Sequence, residues 1–229
     1  MPKIQDSQGR VDENSGYTRL FGVPELGALF SRVQATVIRS GNELEHIIEQ
    51  RTSIPKDLPQ EKVFSLCKAK QLKSKQAVFS PNMPKKDKDP GEKADLIYFD
   101  PDQKKALVIE IKDGDTFDTK KANGELRSLQ AFTQWVANET GYQVDFAFCS
   151  FNQLDKSAII TGAKGRFDLE HVMTGKELCE LLGVDYEDII KKRKAEQPEN
   201  LRFFLSELLD IHEVTELIKT IFRGKNGNN

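Results

Sequence analysis

The sequence of 229 residues contains few cysteines and no long apolar run. Its three cysteines are an odd number without paired spacing, and no CxxC motif occurs. This argues against a disulfide framework and against a zinc ribbon. No segment approaches the roughly 20 apolar residues that a membrane-spanning helix requires, and the polar amino-terminal segment has no apolar core of a secretory signal. We therefore expect a soluble, cytoplasmic protein.

Several motifs of known chemistry are also missing. The chain has no P-loop, no glycine-rich dinucleotide fingerprint and no GxSxG nucleophile motif. Its three histidines, His46, His171 and His212, are scattered without metal-ligand spacing, so we expect them to be structural or exposed. The net charge of −2 points to no class of partner by itself, because the distribution of charge along the chain matters more.

Helical and strand patterns alternate along the chain. Apolar residues recur at helical spacing from residue 26 to residue 37, and Ser40 with Glu43 resembles a capping box, so a helix restarts or continues through 41–50. Further helices are predicted over 123–139, 174–183 and 199–222, the last as one long amphipathic helix. Strands are predicted over 94–99, 106–112 and 142–151, with a short fourth over 157–161.

The first two predicted strands form a β-hairpin that brings three charged residues together. Asp95 lies at the start of the first strand, and Glu110 and Lys112 lie at the end of the second. Because side chains alternate along a strand, Glu110 and Lys112 share one face while Ile111 points to the other. Two carboxylates and one ammonium should therefore meet at one edge of a mostly apolar sheet.

Glu110 interrupts an apolar strand, where a buried charge is costly unless it is paired or bound to a metal. Mg²⁺ prefers oxygen ligands, commonly one or two carboxylates. Asp95 and Glu110 supply these, and the backbone carbonyl of Ile111 could add a third oxygen. Lys112 would then hold the attacking water or the oxygens of a phosphate. The alternative is an ion pair between Glu110 and Lys112 on a solvated sheet face. It is weakened because Ala106 and Val108, which share that face, are apolar.

This arrangement resembles the PD-(D/E)XK nuclease superfamily, whose motif is an aspartate, a spacer and (Asp/Glu)-x-Lys on adjacent strands. Asp95, Glu110 and Lys112 match the motif, although Ala94 stands where the motif has proline. A literal Pro101-Asp102 pair lies only eight residues before Glu110, in the predicted turn, and we interpret it as unrelated to the site.

The resemblance covers residues 41–150 and implies two further site residues. The segment GNELE at 41–45 resembles the amino-terminal helix motif of the family, which implies that Glu45 approaches the same metal site. Gln130 lies on the helix after the hairpin, where some members place an active-site glutamine.

The resemblance also implies a fold. We expect an α/β protein with a restriction-endonuclease-like core, in which a small mixed β-sheet is flanked by α-helices. We predict a single nuclease domain over 1–229. Its parts would be an N-terminal helical region (1–40), a catalytic core (41–165), C-terminal helices (166–223) and a flexible tail (224–229).

The activity that the resemblance implies is Mg²⁺-dependent hydrolysis of phosphodiester bonds in double-stranded DNA, most like a type II restriction endonuclease. Such an enzyme is expected to act as a homodimer, with no membrane association. A cognate DNA methyltransferase is expected in the same system, without a stable complex. The alternatives are a repair or junction-resolving nuclease on the same site and, of another class, a non-catalytic DNA-binding protein.

Lysines near the predicted site are candidates to contact DNA phosphates. Between residues 62 and 88 there are eight lysines and one acid, in a proline-rich segment that we predict to be irregular. Lys85 and Lys86 belong to this segment, and a solvated surface is an equally good reading of it. Lys120 and Lys121 follow the second strand of the hairpin, close enough to the site to reach phosphates.

Overall fold

A computed structural model describes residues 2–10, 14–84, 92–116 and 118–226. Residues 224–226 are described by their backbone alone. The strands are β1 (Gln76–Phe79), β2 (Leu96–Asp100), β3 (Lys105–Lys112), β4 (Gln143–Ser150) and β5 (Val172–Thr174). The helices of the first half are α1 (Gly16–Phe21), α2 (Pro24–Arg51), α3 (Gln60–Lys68) and α4 (Thr119–Thr140). Those of the second half are α5 (Lys156–Gly162), α6 (Gly175–Leu182), α7 (Tyr186–Ala195), α8 (Gln197–Asp210) and α9 (His212–Asn226).

The chain forms two compact units. One comprises Leu44–Tyr186, and the other comprises Met1–Glu43 together with Glu187–Asn229. The division falls within α2 and at the start of α7, whereas the sequence suggested core boundaries at residues 41 and 165. The single nuclease domain stays a prediction, and the predicted tail over 224–229 lies partly outside the described residues. None of the described helices is long and apolar enough to cross a membrane.

The unit Leu44–Tyr186 is built on a five-stranded mixed sheet with the order β1-β2-β3-β4-β5. β1, β2 and β3 are antiparallel neighbours, while β3, β4 and β5 are parallel. The parallel pair β3–β4 needs a long crossover, and α4 provides it. The predicted mixed α/β architecture is therefore confirmed.

One face of the sheet packs against α3 and α4. The core on this face joins buried strand residues to buried helix residues, among them Ile97, Phe99, Val108, Phe148, Phe64, Leu129, Phe132 and Val136. Burial of apolar area of this kind is the main favourable contribution to folding. The same face carries Glu110, because Glu110 is the parallel register partner of Phe148.

Most of the predicted elements are confirmed. The hairpin is present with its turn at residues 101–104, and α4, β4 and α6 match the predicted helix and strand segments. α6 begins with a capping box between Thr174 and Glu177, and it ends at Gly183 in the left-handed conformation. The helix through 41–50 continues from Pro24 without a new start, so the capping-box reading of Ser40 is wrong. Ser40 Oγ instead accepts a hydrogen bond of 2.8 Å from Arg193.

Three further sequence predictions were wrong. Residues 157–161 form helix α5 instead of a strand, because Asp155 caps the helix by accepting from the Ser157 amide at 2.9 Å. The predicted single helix over 199–222 is two helices, because Ile211 adopts an extended backbone between them and is buried. The basic segment is not irregular throughout, since it contains α3 and β1, whose buried Val63, Phe64 and Val78 are interspersed with lysines.

Two helical glycines should respond to alanine with opposite signs. A Cβ on Gly162 would lie 2.0 Å from the carbonyl oxygen of Asp115, whereas a Cβ on Gly124 would meet nothing within 4 Å. We expect Gly162→Ala to lower the free energy of unfolding by about 1–3 kcal/mol through overpacking. We expect Gly124→Ala to raise it by about 0.5–1 kcal/mol, because alanine favours the helix. Urea unfolding of both variants measures this, and equal effects would contradict the close approach.

Candidate active site

The hairpin positions the acidic pair. Asp95 directly precedes β2, whose Leu96 is the register partner of Ile109, so Asp95 lies across from Glu110. The Ile111 backbone N–H donates a hydrogen bond of 2.6 Å to Asp95 Oδ2. This contact ties the carboxylate of Asp95 to the end of β3. Glu110 is 8% exposed, so its carboxylate is held at the edge of an apolar core.

Lys112 lies between two carboxylates. Its ammonium contacts Glu110 Oε1, and it lies 3.4 Å from Oε1 of Glu125 on α4. All three groups are largely shielded. Counting side-chain atoms alone, the exposed fractions are 23% for Lys112, 11% for Glu110 and 21% for Glu125. Charges shielded to this degree interact more strongly than they would on an open surface.

The shielding changes the proton affinities of the acids. Burial and the neighbouring charge of Asp95 raise the pKa of Glu110 to about 8, although Lys112 beside it acts in the opposite direction. Burial also raises the pKa of Asp95, against the stabilising hydrogen bond from the Ile111 amide. Burial lowers the pKa of Lys112, but the surrounding carboxylates outweigh it and raise the pKa overall. Burial is thus the largest cause of the raised pKa of both acids, and the charge of Asp95 adds to it at Glu110.

Glu45 interacts electrostatically with Asp95 and Lys112, and its role at the site stays a prediction. It is half-buried on α2, within the same compact unit as the hairpin. Burial, followed by the charge of Asp95, raises the pKa of Glu45 to about 7, while Lys112 lowers it. These interactions place Glu45 within electrostatic reach of both Asp95 and Lys112.

Gln130 is not brought to the site. It is exposed on α4 and lies five positions after Glu125, a spacing that corresponds to about 140° of rotation beyond one full helical turn. Glu125 is the residue of α4 that reaches Lys112, and the sequence analysis missed it. A signal was available, because Glu125 falls on the same helical stripe as the buried Ala122, Leu129 and Phe132.

The predicted phosphate contacts lie at the start of α4. Lys120 and Lys121 are exposed in its first turn, and Asp118 caps the helix by accepting from the Lys121 amide at 2.8 Å. The loop from β3 to this turn is anchored on β4, because Ser150 Oγ donates to Asp115 Oδ1 at 3.2 Å. Lys85 and Lys86 lie outside the described residues.

The donor set fits a hard divalent cation. Asp95 and Glu110 offer carboxylate oxygens from neighbouring strands, and burial is the largest cause of their raised pKa values. The described residues contain no group of three or more His, Cys, Asp or Glu side chains placed to hold a metal together. Mg²⁺ sites in proteins commonly use only one or two carboxylates.

Buried carboxylates with raised pKa values beside a lysine are typical of enzyme active sites. No family model matches the chain. Its sequence is 41% identical over 235 residues to the type II restriction enzyme HhaII of Haemophilus parahaemolyticus. The aligned region covers 97% of this chain and 100% of that protein. The chain therefore belongs to the type II restriction enzyme family. The sequence-based prediction of an enzyme of this class is confirmed.

The raised pKa of Glu110 predicts how stability depends on pH. An acid whose pKa is higher in the folded state binds protons more tightly than in the unfolded chain, so the free energy of unfolding falls as pH rises from about 4.5 to about 8. We expect Glu110→Gln to flatten this fall in metal-free protein, as measured by urea unfolding between pH 5 and pH 8. The exposed Glu139→Gln on α4 is the control and should leave the slope unchanged. An unaltered slope in Glu110→Gln would contradict the assignment.

Proposed function

We propose that the protein is a Mg²⁺-dependent endonuclease of the PD-(D/E)XK superfamily, with a restriction-endonuclease-like core, that cuts double-stranded DNA at a specific sequence. The observation that carries this proposal is the convergence of Asp95, Glu110 and Lys112 at one end of a β-hairpin. The chain's similarity to a restriction enzyme over nearly its whole length supports restriction over junction resolution and over non-catalytic DNA binding.

Each site residue has a role in this reaction. Asp95, Glu110 and the Ile111 carbonyl would hold Mg²⁺, with Glu45 close by. When bound, Mg²⁺ supplies a Lewis acid that neutralises charge on the scissile phosphate. The Ile111 amide keeps the Asp95 carboxylate in place through its 2.6 Å hydrogen bond. Lys112 orients the attacking water and stabilises the charge that develops on the phosphate oxygens. The water oxygen would bond to phosphorus and lose a proton to solvent as the bond to the leaving oxygen breaks, and the leaving oxygen would take up a proton from solvent.

The residues that contact DNA lie beyond the site itself. Lys120 and Lys121 lie in the first turn of α4, which follows Lys112 after a loop anchored to β4. They would therefore meet phosphates next to the one that is cut. Such contacts add affinity for any DNA sequence, because they neutralise backbone charge. Lys85 and Lys86 stay candidates for the same task.

The enzyme is proposed to act as a homodimer that pairs through α8 and α9. These helices expose two apolar stripes, formed by Leu201, Leu205, Leu209, Leu217, Ile221 and Phe222, with exposed fractions from 45% to 61%. Exposed apolar patches of this kind mark sites of protein association, for which a standard interface buries roughly 800 Å² per partner. A second copy of the chain is the proposed occupant, since a two-fold dimer would present identical contacts to both halves of a symmetric DNA site. A cognate DNA methyltransferase would protect the host DNA without a stable complex.

The catalytic assignment is tested by two pairs of matched variants. We expect Asp95→Asn and Lys112→Met to reduce the cleavage rate about 100-fold or more, because each removes a charge from the reacting centre. Asp102→Asn and Lys105→Met remove the same kinds of charge from exposed positions at the other end of the hairpin and should cut normally. Digestion of a sequenced phage genome with Mg²⁺ measures both the rate and the fragment pattern. Discrete fragments support restriction, and full activity of Lys112→Met would sink the proposal.

Charged substitutions on α8 test the proposed dimer surface. We expect the double variant Leu205→Glu, Leu209→Glu to be monomeric in sedimentation velocity, because four carboxylates would have to be buried in the paired interface. Ser206→Glu changes an exposed position between the two leucines and away from their stripe, so it should stay dimeric. A dimer with unchanged affinity in the leucine variant would place the interface elsewhere.

A further inference from the structure

Glu125 places a carboxylate where the packing of α4 favours an apolar residue. It lies in the second turn of the helix, on the stripe of residues that faces the sheet, and its side chain is 21% exposed. Shielding a carboxylate from water is costly unless a partner compensates. The partner is Lys112, whose Nζ lies 3.4 Å from Glu125 Oε1.

Lys112 is shared between Glu125 and Glu110. The same ammonium contacts Oε1 of Glu110, the carboxylate proposed to bind Mg²⁺. An ammonium and a divalent cation on one carboxylate repel each other, and in a shielded site this repulsion is several times larger than in water. When the cation binds, Lys112 must therefore lose its contact with Glu110 and still remain in the reacting centre.

We propose that Glu125 is a positioning residue, which keeps the Lys112 ammonium in the site while Glu110 is released to the divalent cation. This inference rests on the proposed function and adds to it a residue that acts through Lys112. Glu125 offers the ammonium a second carboxylate at 3.4 Å, from a helix that is independent of the hairpin. Lys112 thereby stays available to the attacking water.

Loss of Glu125 should have consequences only where Lys112 is present. In Glu125→Gln, Glu110 is the remaining ion-pair partner of the ammonium among the described residues, so the ammonium competes with the cation for that carboxylate. Removal of the ammonium by Lys112→Met ends the competition. A residue that bound the cation directly would behave differently, because its loss would weaken cation binding by the same factor with or without Lys112.

The test is a double-mutant cycle on cation binding in the absence of DNA. Calorimetric titration of the full-length protein with Mg²⁺, and with Mn²⁺ as a second probe, would give the affinity of the wild type, Glu125→Gln, Lys112→Met and the double variant. We expect Glu125→Gln to weaken binding about tenfold in the wild-type background and by less than about threefold in the Lys112→Met background. Glu139→Gln removes the same charge from an exposed position on α4 and should bind like the wild type.

A conservative variant and a kinetic measurement separate positioning from loss of folding. Glu125→Asp keeps the charge on a shorter side chain and should recover part of the affinity that Glu125→Gln loses. At saturating Mg²⁺, Glu125→Gln should still show a lower kcat with an unchanged KM for DNA, because Lys112 is less well held. A general loss of folding would lower the amount of active protein for both substitutions alike.

Three results would overturn the inference. Equal cation affinity of Glu125→Gln and the wild type would show that Glu125 does not relieve the competition. Equal weakening in both Lys112 backgrounds would make Glu125 a direct ligand. If the wild type bound neither cation, the proposed function would fail together with this inference. If the wild type bound the cation and cut DNA normally, either of the first two results would remove the inference alone.

Discussion

The burial of one carboxylate, that of Glu110, is the constraint on which the rest of the site depends. Glu110 is 8% exposed at the end of an apolar strand, next to the carboxylate of Asp95. Such a group needs positive charge nearby, and Lys112 on the same face of β3 supplies part of it. Lys112 does not fully compensate, because burial and the charge of Asp95 still raise the pKa of Glu110 to about 8. A bound cation would favour the ionised forms of these carboxylates and so offset the cost of burying them.

The mixed sheet explains why the site lies at this end of the hairpin. The antiparallel pairing of β2 with β3 brings Asp95 across from Glu110, and the parallel pairing of β3 with β4 requires the crossover helix α4. That crossover brings Glu125 to Lys112 and sets Lys120 and Lys121 at the beginning of the helix. One topological feature thus provides both the second partner of the lysine and the candidate phosphate contacts.

Local patterns predicted most of the fold, and the failures have identifiable causes. Residues 157–161 form a short apolar run whose length does not distinguish a strand from a helix, and the cap at Asp155 decides for the helix. The helical period continues across Ile211, so the break between α8 and α9 left no mark in the spacing. In the basic segment, the many lysines interrupt the apolar pattern, so α3 and β1 were not predicted. The structure shows that Val63, Phe64 and Val78 of these elements are buried.

The sequence by itself determined the hairpin and its three charged residues, because alternation along a strand and the short turn between two strands are local properties. Asp95, Glu110 and Lys112 are therefore readable from their spacing, and Glu45 became a candidate through the family resemblance. Only the tertiary structure decided which residue of α4 joins them. Gln130 and Glu125 are both polar residues of one helix, but the packing of α4 against the sheet turns Glu125 toward Lys112 and Gln130 toward solvent. That choice depends on the rotation of the helix about its axis, which is set by contacts between residues distant in sequence.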